Sequence, residues 1–400
     1  MGERAGVCGM VLVATLGCAS GRAPLGGGAG SPDSRGGSDS RGEDGGGVDH
    51  GAGADAGAGA DGGGGDDGGA APPVLVLAGL RAPGGDAVEL RIEGGRIVAF
   101  GPAVDRAGAA LRDGGGRTVV PAFIDSHVHL AYLPTADALA RGGVAAAVDL
   151  AAPLDAIGDD AGPLEVRWAG PMLTVTGGYP TTSWGAAGYG IAVDDPAGAA
   201  EAVGRVVAAG ATVVKVPLTG TPSLSTETLE AVVAAAHARG LPVVAHAMTD
   251  AEVLRAAAAG VDGLAHTPTA PLGDAAVAAW SGRFVISTLA AFGGGANAVD
   301  NLRRLRGAGA QVLYGTDHGN LSAAGIVSAE LDLLGAAGLD GAAILEAGTA
   351  APAAVWGFPG RGALRPGGPA DFLLLEGDPW EDPARLAAPR EVWLAGQPLD

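Results

Sequence analysis

Between residues 121 and 357, short apolar runs alternate with alanine-rich stretches of helical period, and no other feature limits the fold as tightly. The apolar runs are Phe123–His127, Val144–Asp149, Arg167–Val175, Thr212–Pro217, Val243–His246, Gly263–His266, Phe284–Thr288 and Val312–Asp317. Helical stretches such as Thr226–Arg239, Ala251–Ala259 and Val299–Arg306 separate several of them. Strand–helix repetition of this kind joins parallel strands by right-handed crossovers. Eight units predict an α/β fold, a (β/α)8 TIM-type barrel over residues 121–362, with a doubly wound open sheet as the alternative. The flanking segments have another rhythm. VLVLAGL, AVELRIEGG and GRIVAFG on one side, and ADFLLLEG and EVWLAG on the other, read as short strands and hairpins. They predict a small β-sandwich formed by residues 73–120 together with 363–400.

Charge and motifs narrow the function. The formal net charge is −20, which argues against the basic face that nucleic acid requires. No GxGxxG opens a helix after a strand and no GxxxxGK[ST] occurs, so nucleotide binding has no support. Residues 19–72 hold 21 glycines and no Ile, Phe, Trp or Tyr, too little apolar surface to offset the entropy of ordering. They are expected to be a disordered Gly/Ala/Asp linker. Before them, residues 5–17 form an apolar run too short to span a bilayer but suited to a secretory signal. Thr15-Leu16-Gly17-Cys18 resembles a bacterial lipoprotein box, with Cys18 as the lipidated residue. Residues 1–18 are therefore expected to be a signal peptide. The protein is expected to be exported as a membrane-anchored lipoprotein of a bacterial cell envelope. A plain cleaved signal, giving a periplasmic or secreted protein, and a misplaced start codon are the alternatives. The only other cysteine is Cys8, so the part beyond the linker has no Cys-based metal site.

The histidines carry the chemistry. Of seven, His127, His129, His246 and His266 stand at or just past the ends of expected strands, which is the active face of a barrel. His127 and His129, two apart, point to the same side and suit one metal ion. Lys215 is the only lysine in the chain and lies inside the apolar run TVVKVP. Burial should depress its pKa and favour the neutral amine, which can add carbon dioxide to give a carbamate able to bridge two metals. Asp317 closes the eighth run. His318 is a second candidate there, facing either substrate or the supporting structure. His237 falls on a helical stretch and His50 in the linker, and neither is given a role. Asp125, two residues before the HVH, either orients a ligand or caps a local turn.

PAFIDSHVHL, Lys215, PVVAH, DGLAH, the GTD at Asp317 and the terminal LRPGGPADFLLLEGDPWEDP together resemble the amidohydrolase superfamily, in particular its imidazolonepropionase-like and Xaa-Pro dipeptidase-like members. The resemblance covers about residues 74–400. It implies that His127 and His129 hold a first divalent metal, that carboxylated Lys215 bridges, and that His246 and His266 hold a second. Asp317 would bind the first metal and act as general acid/base toward a metal-bridging hydroxide. The implied reaction is hydrolysis of a C–N bond in an amide, dipeptide or cyclic amide, with zinc the first choice of metal. The deaminases of the superfamily resemble one another in an HxxE where this chain has His246-Ala247-Met248-Thr249. Lacking that Glu, the chain fits a binuclear amide or dipeptide hydrolase better than a mononuclear deaminase-like hydrolase, which stands as the alternative; a tethered binding protein without catalysis is another. Tyr132, Tyr179 and Trp184 are candidate pocket residues from aromatic, glycine-rich loops. Arg239 and Arg255 fall on helical stretches and are expected to be solvated. The partner is a small-molecule substrate; the oligomeric state is left open.

Overall fold

A computed structural model describes residues 74–399. Cys8, Cys18, His50, the expected signal peptide and the expected linker lie outside the described residues.

The chain begins with Leu75–Arg81 (β1), Ala87–Glu93 (β2), Arg96–Gly101 (β3), Ala110–Asp113 (β4) and Thr118–Pro121 (β5). β2 shows why these are strands. Val88, Leu90 and Ile92 alternate inward while Glu89, Arg91 and Glu93 keep their charges toward the surface. A run of parallel elements follows. Phe123–Val128 (β6), Val144–Asp149 (β7) and Glu165–Trp168 (β8) form a three-stranded parallel sheet. Met172–Thr174 (β9) pairs with Gly190–Ala192 (β10). Val214–Pro217 (β11), Val243–His246 (β12), Gly263–Leu264 (β13), Phe284–Ile286 (β14) and Gln311–Leu313 (β15) form a five-stranded parallel sheet. Helices including Thr226–His237 (α1), Asp250–Ala258 (α2) and Ala296–Gly307 (α3) supply the crossovers, and Ser328–Ala336 (α4) follows β15. The last strands, Phe372–Leu375 (β16), Glu391–Leu394 (β17) and Gln397–Leu399 (β18), return to the first. β16 pairs antiparallel with β5, which makes one eight-stranded mixed sheet from the two ends of the described chain.

The protein is thus an α/β fold with parallel and mixed sheets. Among the described residues no sheet closes on itself. The three- and five-stranded sheets are nevertheless tied at both margins. Ser126 N donates to Tyr314 O at 2.9 Å and Asp317 N to His127 O at 2.8 Å on one side; Thr212 N donates to Trp168 O at 2.9 Å on the other. One apolar cluster takes Ile124, Val148, Val244, Ile286 and Leu313 from five of the eight parallel strands, with Ala265 from just past a sixth.

Two expected strands differ from what forms. Arg167–Val175 is two strands, because Gly170 takes φ +71° and Pro171 has no N–H to continue a ladder. The expected Val312–Asp317 ends at Leu313, since Tyr314, Thr316 and Asp317 bond to β6 and Gly315 alone still bonds to Thr288, beyond the end of β14. Gly315 makes that approach possible: a Cβ there would lie 2.4 Å from Ile286 and 3.2 Å from the His127 Cβ. No helix among the described residues is long and apolar enough to cross a membrane.

Candidate metal centre

β6 ends at Val128, so His127 lies inside the strand and His129 just past it. The backbone of each is pinned by an element far away in sequence. Asp125, fully buried, accepts through Oδ1 from His127 N at 3.0 Å and Thr316 N at 3.1 Å, and through Oδ2 from Thr316 Oγ1 at 2.6 Å. One carboxylate thereby ties the HVH strand to the segment carrying Asp317. His129 N donates to His318 O at 2.8 Å.

The side chains converge at these ends. Ligand atoms of His127, His129 and Asp317 all lie within 4.8 Å of one another. Asp317 Oδ1 is 3.4 Å from His127 Nε2 and 3.0 Å from His129 Nε2. His266 joins from just past β13, its Nδ1 4.0 Å from Asp317 Oδ2 and its ring 4.5 Å from that of His127. The His246 ring is 4.6 Å from His266. Lys215, on β11, is completely buried and close enough to depress the affinity of the imidazoles of His127, His246 and His266 for protons.

The striking imbalance is in what these groups lack. His127 Nε2, Asp317 Oδ1 and Lys215 Nζ are buried with no hydrogen-bond partner, and so is His129 Nδ1. Such atoms are rare in native interiors, because each carries the full cost of lost hydration. The other atom of the same group is usually spoken for. His127 Nδ1 is 2.8 Å from Ala265 O, which it meets as a donor and so leaves Nε2 with its lone pair. Asp317 Oδ2 accepts from Asn320 Nδ2 at 3.1 Å, leaving Oδ1 to face the Nε2 atoms of His127 and His129. Asp317 takes φ +55°, a conformation costly for a residue with a Cβ and concentrated at functional sites.

The electrostatics match. Burial pushes His127 and His266 well below the ordinary histidine range and His246 down to about 3, so all three are neutral donors near pH 7. Burial also lowers the Lys215 ammonium from 10.5 to about 7, against the pull of Asp317 and Asp149. Burial would raise Asp317; attraction to any proton charge on its imidazole neighbours, His127 foremost, and a contact from His129 pull it the other way, so within this buried set the carboxyl is the group that gives up its proton first. Neutral imidazoles around one carboxylate form a donor set for a borderline divalent ion.

Aromatic rings from the loops surround this cluster. Trp184 lies 5.7 Å from His129 and Tyr179 5.5 Å from His246, and Trp184 Nε1 donates to Tyr179 Oη at 2.8 Å. Tyr132, 45% exposed, meets the Trp184 ring at 5.7 Å. His318 does not share this wall. Its Nδ1 faces Ala323 O at 2.9 Å and its Nε2 faces Thr135 Oγ1 at 2.5 Å, so neither nitrogen is left for a substrate. Arg255 is half-buried rather than solvated, donating to Ser223 Oγ in the loop after β11.

Sequence reasoning missed three further residues near the site. Asp149 ends β7, fully buried, accepting from Ala151 N at 3.0 Å and Ala131 N at 3.2 Å. Its place at a strand end was the available signal. Phe292 packs 4.9 Å from the His266 ring, and Tyr189 lies 5.2 Å from Trp184.

A model of the amidohydrolase family matches residues 198–400, and the chain belongs to that family. The fold is similar to those of several solved structures. One described as a prolidase from Bifidobacterium longum is 24% identical, with TM-score 0.70 over 82% of this chain and 95% of that one. A Xaa-Pro dipeptidase with bound methionine in the active site is 21% identical, with TM-score 0.69 over 82% and 100%. A. niger ochratoxinase is 20% identical, with TM-score 0.66 over 82% and 96%. No curated protein matches the chain.

Proposed function

We propose that the protein is a metal-dependent hydrolase of C–N bonds in amides or dipeptides, working from the cluster at the ends of the parallel strands. The observation that carries this reading is the set of orphaned atoms, His127 Nε2, Asp317 Oδ1 and Lys215 Nζ, in one buried cluster. His127, His129 and Asp317 would hold one divalent ion. Lys215, carboxylated, would bridge to a second held by His246 and His266. Zinc suits these donors best. When bound, such ions acidify water and polarise a carbonyl.

The chain's own residues do the rest. Asp317 Oδ1 takes a proton from the attacking water and passes it to the leaving nitrogen. Asn320 holds the other carboxylate oxygen, so Oδ1 keeps its aim. The rings of Tyr132, Tyr179 and Trp184 keep bulk water from the carbonyl and line the substrate's path. Hydrolysis is favoured over deamination by what happens after β12. The first carboxylate beyond His246, apart from the helix-starting Asp250, is Glu252, and its Oε2 accepts from Met248 N and Thr249 N in a capping box. It is occupied in starting α2.

The scaffold reading completes the proposal. The hydrogen bonds at both sheet margins and the shared interior cluster support a (β/α)8 barrel over residues 121–362. The sandwich is assigned to 73–120 with 363–400. Residues 1–18 are proposed as a lipoprotein signal acylated at Cys18, and 19–72 as a tether. Mass spectrometry of the mature N-terminus tests the anchor: an intact stretch 1–17 would remove it.

The decisive experiment is a panel of Xaa-Pro dipeptides, N-acyl amino acids and cyclic amides, assayed with zinc and bicarbonate. Turnover that a chelator abolishes and zinc restores is expected. Chelator-insensitive turnover, or metal-loaded protein that cleaves nothing in the panel, would reject the proposal.

A further inference from the structure

His266 lies between the two halves of the cluster, its ring 4.5 Å from His127 and 4.6 Å from His246. Whichever nitrogen it turns inward decides whether both halves can fill. What sets that choice comes from the next strand. Thr288, just past β14, is completely buried and places Oγ1 3.1 Å from His266 Nδ1. Its φ is +42°, a genuine outlier for a β-branched residue. Such strain persists only where the surroundings over-determine it.

The neighbouring bonds supply that restraint. Thr288 N donates to Gly315 O at 3.1 Å. The next two amides, Leu289 N and Ala290 N, donate to the two oxygens of Glu330 at 3.0 and 2.7 Å. Glu330 lies on α4, fully buried, and among the described residues the groups that act on its carboxyl are Ser287 and the amides of Ala290 and Leu289, none of them a cation. A buried carboxylate without a counter-ion is costly, and here its bonds go to the turn that bends Thr288 toward His266.

We propose that Thr288 is a positioning residue for the metal centre: its hydroxyl accepts from His266 Nδ1–H and so presents Nε2 to the metal, while Glu330 clamps the turn in its strained form. This rests on the binuclear reading above, and the test separates the two. Cobalt(II) is titrated into metal-free full-length protein, followed by calorimetry and by visible absorption, for wild type, Thr288→Val, Thr288→Ser and Glu330→Gln. Wild type should bind two equivalents. Thr288→Val keeps the shape and loses the hydroxyl; one equivalent should weaken about 10- to 100-fold, with changed absorption for that ion only. Thr288→Ser should restore binding to within about threefold, and Glu330→Gln should lie between. Two equivalents bound by Thr288→Val as tightly as by wild type would overturn the inference, as would equal weakening in Thr288→Ser. A wild type that binds no cobalt or zinc would instead reject the metal-centre reading itself.

Discussion

The mixed sheet and the cluster at the parallel strand ends treat polar atoms in opposite ways. In the mixed sheet, Leu77, Leu80, Leu90, Ile97, Phe372 and Trp393 fill the interior. Charges stay near the surface and find partners there, as Arg112 does with Glu391 at 2.7 Å and Arg117 with Glu376 at 3.0 Å. At the strand ends, histidines, a lysine and an aspartate are buried and several of their atoms have no partner. The first region is arranged for stability. The second keeps polar atoms buried without partners, an arrangement that costs stability and that the proposed function would explain.

The contrast can be broken most sharply at Asp317. Asp317→Ala should lower kcat/KM by about a thousandfold or more, as loss of a proton carrier does, yet leave the Tm of the metal-free protein unchanged or higher. A clear drop in Tm would mean that the carboxylate serves the fold. The opposite substitution is Leu90→Ala, in the centre of the mixed-sheet core. It should cost about 2–5 kcal/mol in denaturant unfolding while kcat/KM of the folded enzyme stays within about twofold. A large loss of activity without loss of stability would erase the division between the regions.

A smaller effect is expected from pH. Burial raises the Glu330 carboxyl from 4.5 to about 7, against bonds from Ser287, Ala290 and Leu289. The folded state therefore holds this proton more tightly than the unfolded one. Its contribution is fully present below pH 4.5 and is lost as pH rises toward 7, on the order of 1–3 kcal/mol. Glu330→Gln should flatten that part of the stability profile of the metal-free protein, measured by urea titration from pH 4.5 to 8. Smallest of all, Arg112→Ala at the exposed pair with Glu391 should change stability by less than about 1 kcal/mol and vanish into noise at high salt.

How far the sequence reaches follows from what is local. Val243–His246 and Val144–Asp149 appear as strands with the bounds their apolar runs suggest, because a short β-branched or small-apolar run between glycines and helices has one sensible place to go. The histidines could be set at strand ends for the same reason, and the solitary Lys215 was conspicuous by composition. The break inside Arg167–Val175 was written in Gly170-Pro171 and was overridden by the apolar residues around it. Other features are not local at all. Glu330 stands in SAELDLL, where an acid in a first helical turn reads as a solvated charge. Thr288 looks like any polar residue closing a strand. Asp125 bonds to Thr316, 191 residues away. Periodicity says nothing about pairings at that distance.

That last pairing has a bearing on how the enzyme comes into being. The HVH strand is among the first parallel elements to be synthesised and the Asp317 segment among the last, and a single aspartate fastens one to the other. A growing chain that has not yet reached Asp317 holds only part of the candidate set His127, His129 and Asp317. The complete set therefore exists only once the last of the parallel elements has settled against the first.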